Sequence, residues 1–224
     1  MKKILNLVFA ALFVTVNTVS LAQSNNPYDQ RGIDYMSSMQ IISNDVKNRG
    51  VKDLSQSTLD YYSRKIPLQT QASEEMAGTI LRTIKTPGFN LSAFVNNSAL
   101  SKDAKRAIKD IYTGSRDQSP EAFRTALVAK VDHINEMALP PAEKELVLSL
   151  AAITYHAVSS NGQLRAPNPG EDSPCVIFGE GGSAPIPCWV AGALAGGMIG
   201  ASICGLWCGL GGAVIGGVIG ALCE

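Results

Sequence analysis

From Tyr28 to about Ser160 apolar residues recur at three- and four-residue steps, and no stretch shows the alternation of a half-buried strand. The clearest helix opens at Ser119-Pro120-Glu121: a capping hydroxyl, a proline in the first turn and an acid at the positive end of the dipole. Phe123, Leu127, Val131, Ile134 and Ala138 then fall on one face. Pro140-Pro141 ends that helix and starts another, in which Leu146, Leu150, Ile153 and Ala157, flanked by Val147 and Val158, predict a broad buried stripe. Upstream, a helix is predicted from about Ser101 to Thr113, stopping at Gly114, with Ala104, Ile108, Ile111 and Tyr112 inward. Thr86-Pro87-Gly88 breaks the chain before Asn90, which caps a short helix through Val95. Segments near 30–48, 55–65 and 73–85 also read as helix. Residues 23–162 are thus expected to form a small all-α domain, long enough to bury a core of its own.

The pattern differs at both ends. Met1-Lys2-Lys3 precedes an apolar run from Ile4 to Val16, and small residues close the stretch at Ala22. This order of charged, apolar and small-residue regions predicts a signal peptide over residues 1–22 and an exported chain, secreted or held in the cell envelope. After Asn161-Gly162, residues 163–187 contain Pro167, Pro169, Pro174, Pro185 and Pro187 among glycines, a density of breakers that predicts a linker.

Residues 188–224 form an apolar tail with no charge until Glu224. Its glycines recur every four residues, at Gly192, Gly196 and Gly200 and again at Gly212, Gly216 and Gly220. That spacing lines each set along one ridge of a helix, where another backbone can approach closely. Each glycine costs about 1 kcal/mol in a water-exposed helix, so the composition fits a membrane or a buried position in an assembly. One straight helix from Cys188 to Cys223 would reach about 54 Å, beyond a hydrocarbon core of about 30 Å. A glycine-zipper helical hairpin turning at Cys204–Gly209 fits better, although arms of about 20–24 Å are short for a span.

All five cysteines lie in the last quarter of the chain. Export would let disulfides persist there. The hairpin would bring Cys188 to Cys223 and let Cys204 and Cys208 close its turn, leaving Cys175 over. The other pairing open to the sequence is Cys175 with Cys188 across the Pro/Gly stretch. No histidine lies near these thiols and no C-x-x-C is present, so no metal is expected.

Charge narrows the field further. Nineteen basic residues balance nineteen acidic ones, which leaves no global footprint for nucleic acid. Lys102, Lys105, Arg106 and Lys109 form a basic stripe, but Asp103 and Asp110 interleave with it and a solvated face is expected. Asp132, His133 and Glu136 are read as a solvated helix face, and His156 as a residue at the domain boundary. No nucleophile elbow, zinc-protease motif or phosphate loop occurs, so neither an enzyme nor a cofactor is predicted.

The order of signal peptide, helical domain, Pro/Gly linker and Gly- and Cys-rich tail resembles halocin-type bacteriocin precursors. The resemblance rests on Gly192–Cys223, particularly Ser202-Ile203-Cys204-Gly205-Leu206. It implies an exported preprotein whose C-terminal peptide inserts into membranes, with the helical part as escort or immunity element. Gly181-Gly182 is similar to a double-glycine processing site, with cleavage after Gly182 releasing the 42 residues Ser183–Glu224. The zipper also resembles that of glycine-zipper envelope proteins, which implies a structural protein anchored by the hairpin. Either reading makes membrane lipid the partner, with self-association through the tail.

Overall fold

The computed structural model describes residues 25–49, 55–67, 73–84, 91–112, 120–159, 192–193, 196–201, 209 and 211–217. The fold is all-α: the described residues form helices and turns, with no strand among them. Among the described residues of the domain seven helices are seen: α1 (Asp29–Arg49), α2 (Gln56–Lys65), α3 (Glu74–Ile84), α4 (Leu91–Asn97), α5 (Lys102–Tyr112), α6 (Pro120–Glu136) and α7 (Pro141–Ser159).

Helix α7 is the hub, packing along α1, α5 and α6. Every residue from Leu146 to Thr154 is buried, so its sequence stripe is only part of what it hides. A helix buried all round must satisfy its own polar side chains. Ser149 Oγ donates to the Glu145 carbonyl at 2.7 Å and Thr154 Oγ1 to that of Leu150 at 2.8 Å.

The α1–α7 contact depends on Gly32. A Cβ there would lie 2.6 Å from the Ala152 carbonyl carbon and 2.5 Å from Cδ2 of the His156 ring, so the two helices meet backbone to backbone. Polar bonds fix the register of this close approach. Asn26 Nδ2 donates to the Leu148 carbonyl at 2.8 Å, and its Oδ1 accepts the Tyr28 N–H at 2.9 Å. Arg31 reaches Ser149 Oγ at 2.8 Å and pairs with Glu145. His156 Nε2 lies 3.0 Å from Asp29 Oδ1, so this histidine joins the start of α1 to the end of α7.

Helix α5 is capped by Ser101, whose Oγ accepts the Ala104 N–H at 3.2 Å while its own N–H donates to Glu143 Oε1 at 2.8 Å. Its hydroxyl also donates to Glu143 Oε2, so one carboxylate of α7 holds the cap of α5. Glu143→Ala is expected to cost about 1–2 kcal/mol in denaturant unfolding, since it frees a backbone N–H and a capping hydroxyl together.

Two lysines of the basic stripe have structural work. Lys105 Nζ donates to the Asn96 carbonyl at 2.9 Å and Lys109 Nζ to Asn96 Oδ1 at 3.0 Å, placing positive charge at the C-terminal end of α4. Arg106 makes an exposed pair with Asp103 at 3.1 Å.

Helix α6 buries Phe123, Leu127, Val131 and Ile134, as its periodicity predicts. Ala138 departs from the expectation: α6 ends at Glu136, the face is no longer continued, and Leu139 is buried while Ala138 is exposed. Asp132, His133 and Glu136 are exposed. Arg124 donates to the Tyr155 hydroxyl at 3.0 Å and stacks 4.8 Å over its ring, tying α6 to α7. Lys130 Nζ donates to the Asp110 carbonyl, and partial burial pulls its pKa below the usual lysine value.

Candidate functional site

The apolar tail is the feature that the sequence singles out, and its described residues lie inside the helical domain. Residues 196–201 and 211–217 are helical, and all of them except Ala201 are buried, as are Gly192, Ala193 and Gly209. Ala193, Met198, Ala213 and Val214 belong to the same apolar cluster as Tyr35, Met39, Leu146, Leu150 and the inward faces of α5 and α6. Ile199 and Ile215 join Leu59, Met76, Ala77 and Ile80 of α2 and α3 in a second cluster.

Within this setting glycine faces glycine. A Cβ on Gly196 would collide with the Gly212 carbonyl and lie 2.9 Å from the Gly216 Cα. One on Gly212 would collide with the Gly196 carbonyl and lie 3.1 Å from the Gly200 Cα. One on Gly216 would strike the Gly192 carbonyl. The pairs Gly192 with Gly216 and Gly196 with Gly212 run in opposite chain directions, so the two helical segments are antiparallel at this contact. Backbones this close gain Cα–H···O contacts of about 0.5–1 kcal/mol each, which offset part of the glycine penalty.

A second set of glycines lies where the tail segments meet the domain. A methyl on Gly197 would sit 3.2 Å from Leu150 Cδ2, and one on Gly209 would sit 3.3 Å from Leu146 Cδ1 and 3.2 Å from both the Gly197 carbonyl oxygen and Ala201 Cβ. Gly217 lies against the Tyr35 hydroxyl and Met39, with Sδ 3.1 Å from the position a Cβ would take. The four-residue period alone does not reveal this set. The signal was present in the doublets Gly196-Gly197 and Gly216-Gly217, where the second glycine points away from the zipper ridge.

Of the predicted zipper residues, the structure brings together Gly192, Gly196 and Gly200 with Gly212 and Gly216. Gly220, the cysteines Cys175, Cys188, Cys204, Cys208 and Cys223, and the processing candidate Gly182 lie outside the described residues, as do the predicted signal peptide and the stretch 163–187. Among the described residues no helix is long and apolar enough to cross a membrane.

The electrostatics of the site follow from burial. Tyr35 is completely buried beneath Gly217, and loss of hydration pushes its phenol pKa far above the ordinary 10.0. A folded-state pKa raised above the unfolded one contributes stability that is complete below pH 10 and lost as pH rises past it. Denaturant unfolding from about pH 9 to about pH 12 should therefore show stability falling above the ordinary phenol pKa. Tyr35→Phe is expected to flatten that fall.

The fold and site define an all-α protein in which the described residues of a glycine-rich tail pack among the helices of the domain. The chain matches no family model, no curated protein and no solved structure.

Proposed function

We propose that this chain is an exported, bacteriocin-like precursor that carries a membrane-inserting tail and escorts it in a sheath made from its own helical domain. The observation that carries this reading is the burial of the tail's glycines and isoleucines against α1, α2, α3 and α7. An uncharged glycine zipper in water would aggregate, and helical walls around it remove that hazard until a membrane is met. The antiparallel contact of Gly192 and Gly196 with Gly216 and Gly212 supports a hairpin as the inserted form. Disulfides among Cys188, Cys223, Cys204 and Cys208 would keep such a hairpin closed outside the cytoplasm.

The test is dye release from anionic phospholipid vesicles by the purified full-length chain, with a specific protease site placed in the stretch 163–187. The intact chain is expected to leave vesicles sealed, and the cut chain to empty them. Vesicles that stay sealed after verified cleavage would overturn the proposal and leave the tail as a permanent part of the domain core. Intact mass of culture fractions gives the cellular counterpart. A soluble species near Ser183–Glu224 fits release, whereas one uncut species held in membranes fits an envelope anchor instead.

A further inference from the structure

We propose that the outer face formed by α4 and α5, with Lys102, Lys105, Arg106 and Lys109 as its cations, is a docking surface for anionic phospholipid membranes. The proposal rests on the reading that the tail meets a membrane, and it says which face of the domain turns towards the lipid.

The charges of the chain balance overall but are not spread evenly. Between Met76 and Lys109 there are six basic residues and one acid, Asp103, which leaves thirteen basic against eighteen acidic residues elsewhere. The tail cannot itself draw on anionic lipid, since no charge lies between Glu180 and Glu224. Electrostatic attraction to lipid must therefore come from the domain, and this stretch is where its positive charge is concentrated.

The fold gathers most of these cations on one face. Ala104, Ala107, Ile108 and Ile111 of α5 are buried, which leaves Lys102, Lys105, Arg106 and Lys109 on the opposite side, within about 10 Å along the helix. Lys102 and Arg106 are exposed. Lys105 and Lys109 are half-buried, and their bonds to Asn96 at 2.9 and 3.0 Å hold both ammonium groups at the end of α4. Helix α4 carries no charge of its own, and Ala93, Ala99 and Leu100 put small apolar surface near the cations. Of the nearby acids, Asp103 is paired with Arg106 at 3.1 Å, and Asp110 has Lys130 bonded to its carbonyl. On the inner side of α4, Phe94 packs against the cluster that holds Ile199 and Ile215 of the tail. Asn96, two residues further along, is exposed, so the cations and the tail's isoleucines lie on the two sides of one short helix. A membrane held at this face is one helix away from the tail.

Co-sedimentation of the intact chain with vesicles tests this. The chain is expected to bind vesicles of phosphatidylglycerol mixed with phosphatidylcholine, but not pure phosphatidylcholine. It is expected to dissociate at about 1 M salt, where charges are screened within about 3 Å. Lys102→Gln with Arg106→Gln is expected to weaken binding about thirtyfold, from about fivefold for each cation. Arg64→Gln, which removes an exposed cation from α2, is expected to leave binding unchanged. Asp103→Asn is expected to tighten binding, a gain that a damaged fold does not produce. Equal binding to both kinds of vesicle, or full binding by the Lys102–Arg106 double variant, would overturn the docking surface. Duplex DNA held as tightly as the charged vesicles at the same salt would overturn it too, marking a general polyanion site. Dye release separates this proposal from the one it rests on. Binding that depends on Lys102 and Arg106, without dye release after cleavage, keeps the docking surface and sinks the inserting tail. Dye release by the cut chain, without charge-dependent binding of the intact one, keeps the inserting tail and sinks the docking surface.

Discussion

A chain ending at Ser159 is expected to lose cooperative unfolding, bind a hydrophobic dye and keep much of its helical circular dichroism. The reason is where the tail sits. Its removal uncovers Leu146 and Leu150 on α7, Tyr35 and Met39 on α1, and Leu59, Met76 and Ile80 on α2 and α3. Each large apolar side chain returned to water costs about 1.5–3 kcal/mol, and even partial exposure of seven gives about 10 kcal/mol. Net stabilities of single domains are about 5–15 kcal/mol, so the truncated chain has little or nothing left. Helical propensity and the α5–α6–α7 contacts survive, which is why a compact state with helix but without fixed packing is the expected form. A sharp two-state transition in the truncated chain, with no dye binding, would show that the domain owns a complete core without the tail.

The second large effect concerns sign. Replacing glycine by alanine inside a helix ordinarily stabilises it, by about 0.5–1 kcal/mol. Gly78 in α3 should follow that rule, since a methyl there would meet only the mobile end of the Arg82 side chain at 3.3 Å. Gly212 should break it. Its added methyl would strike the Gly196 carbonyl and crowd the Gly200 Cα at 3.1 Å, and a backbone cannot step aside as a side chain does. The segments must separate, opening gaps between Met198, Val214 and the walls around them, at a cost of about 3–5 kcal/mol. Thermal unfolding of Gly78→Ala and Gly212→Ala should move the midpoint in opposite directions. A stabilising Gly212→Ala would remove the zipper contact as an energetic feature of the fold.

Much of the helical layout could be read from residue spacing, because its signals are local. Proline at the start of α6 and α7, Ser101 before α5 and the steps from Phe123 to Ile134 each act within one turn or two. Ala138 was misplaced because periodicity does not say where a helix stops, and α6 stops two residues earlier. The zipper ridge was legible for the same local reason. What covers the tail was not, since a run of small apolar residues has the same composition whether lipid or other helices surround it. The full burial of α7 was hidden similarly: one of its walls is the tail, separated from it in sequence by the Pro/Gly stretch. The tie made by His156 was not legible because its partner, Asp29, is 127 residues away in the chain.

The position of the tail also bears on the order in which the molecule can be made. Ala193, Met198, Ile199, Ala213, Val214 and Ile215 complete the core, yet they follow every helix of the domain in the chain. A ribosome delivers α1 to α7 first, and those helices meet a vacancy until the last glycines emerge. Nascent chains short of that point are expected to stay loosely packed, with the inward faces of the helices still open. Folding then becomes an event that the tail segment completes rather than one that the seven helices finish among themselves.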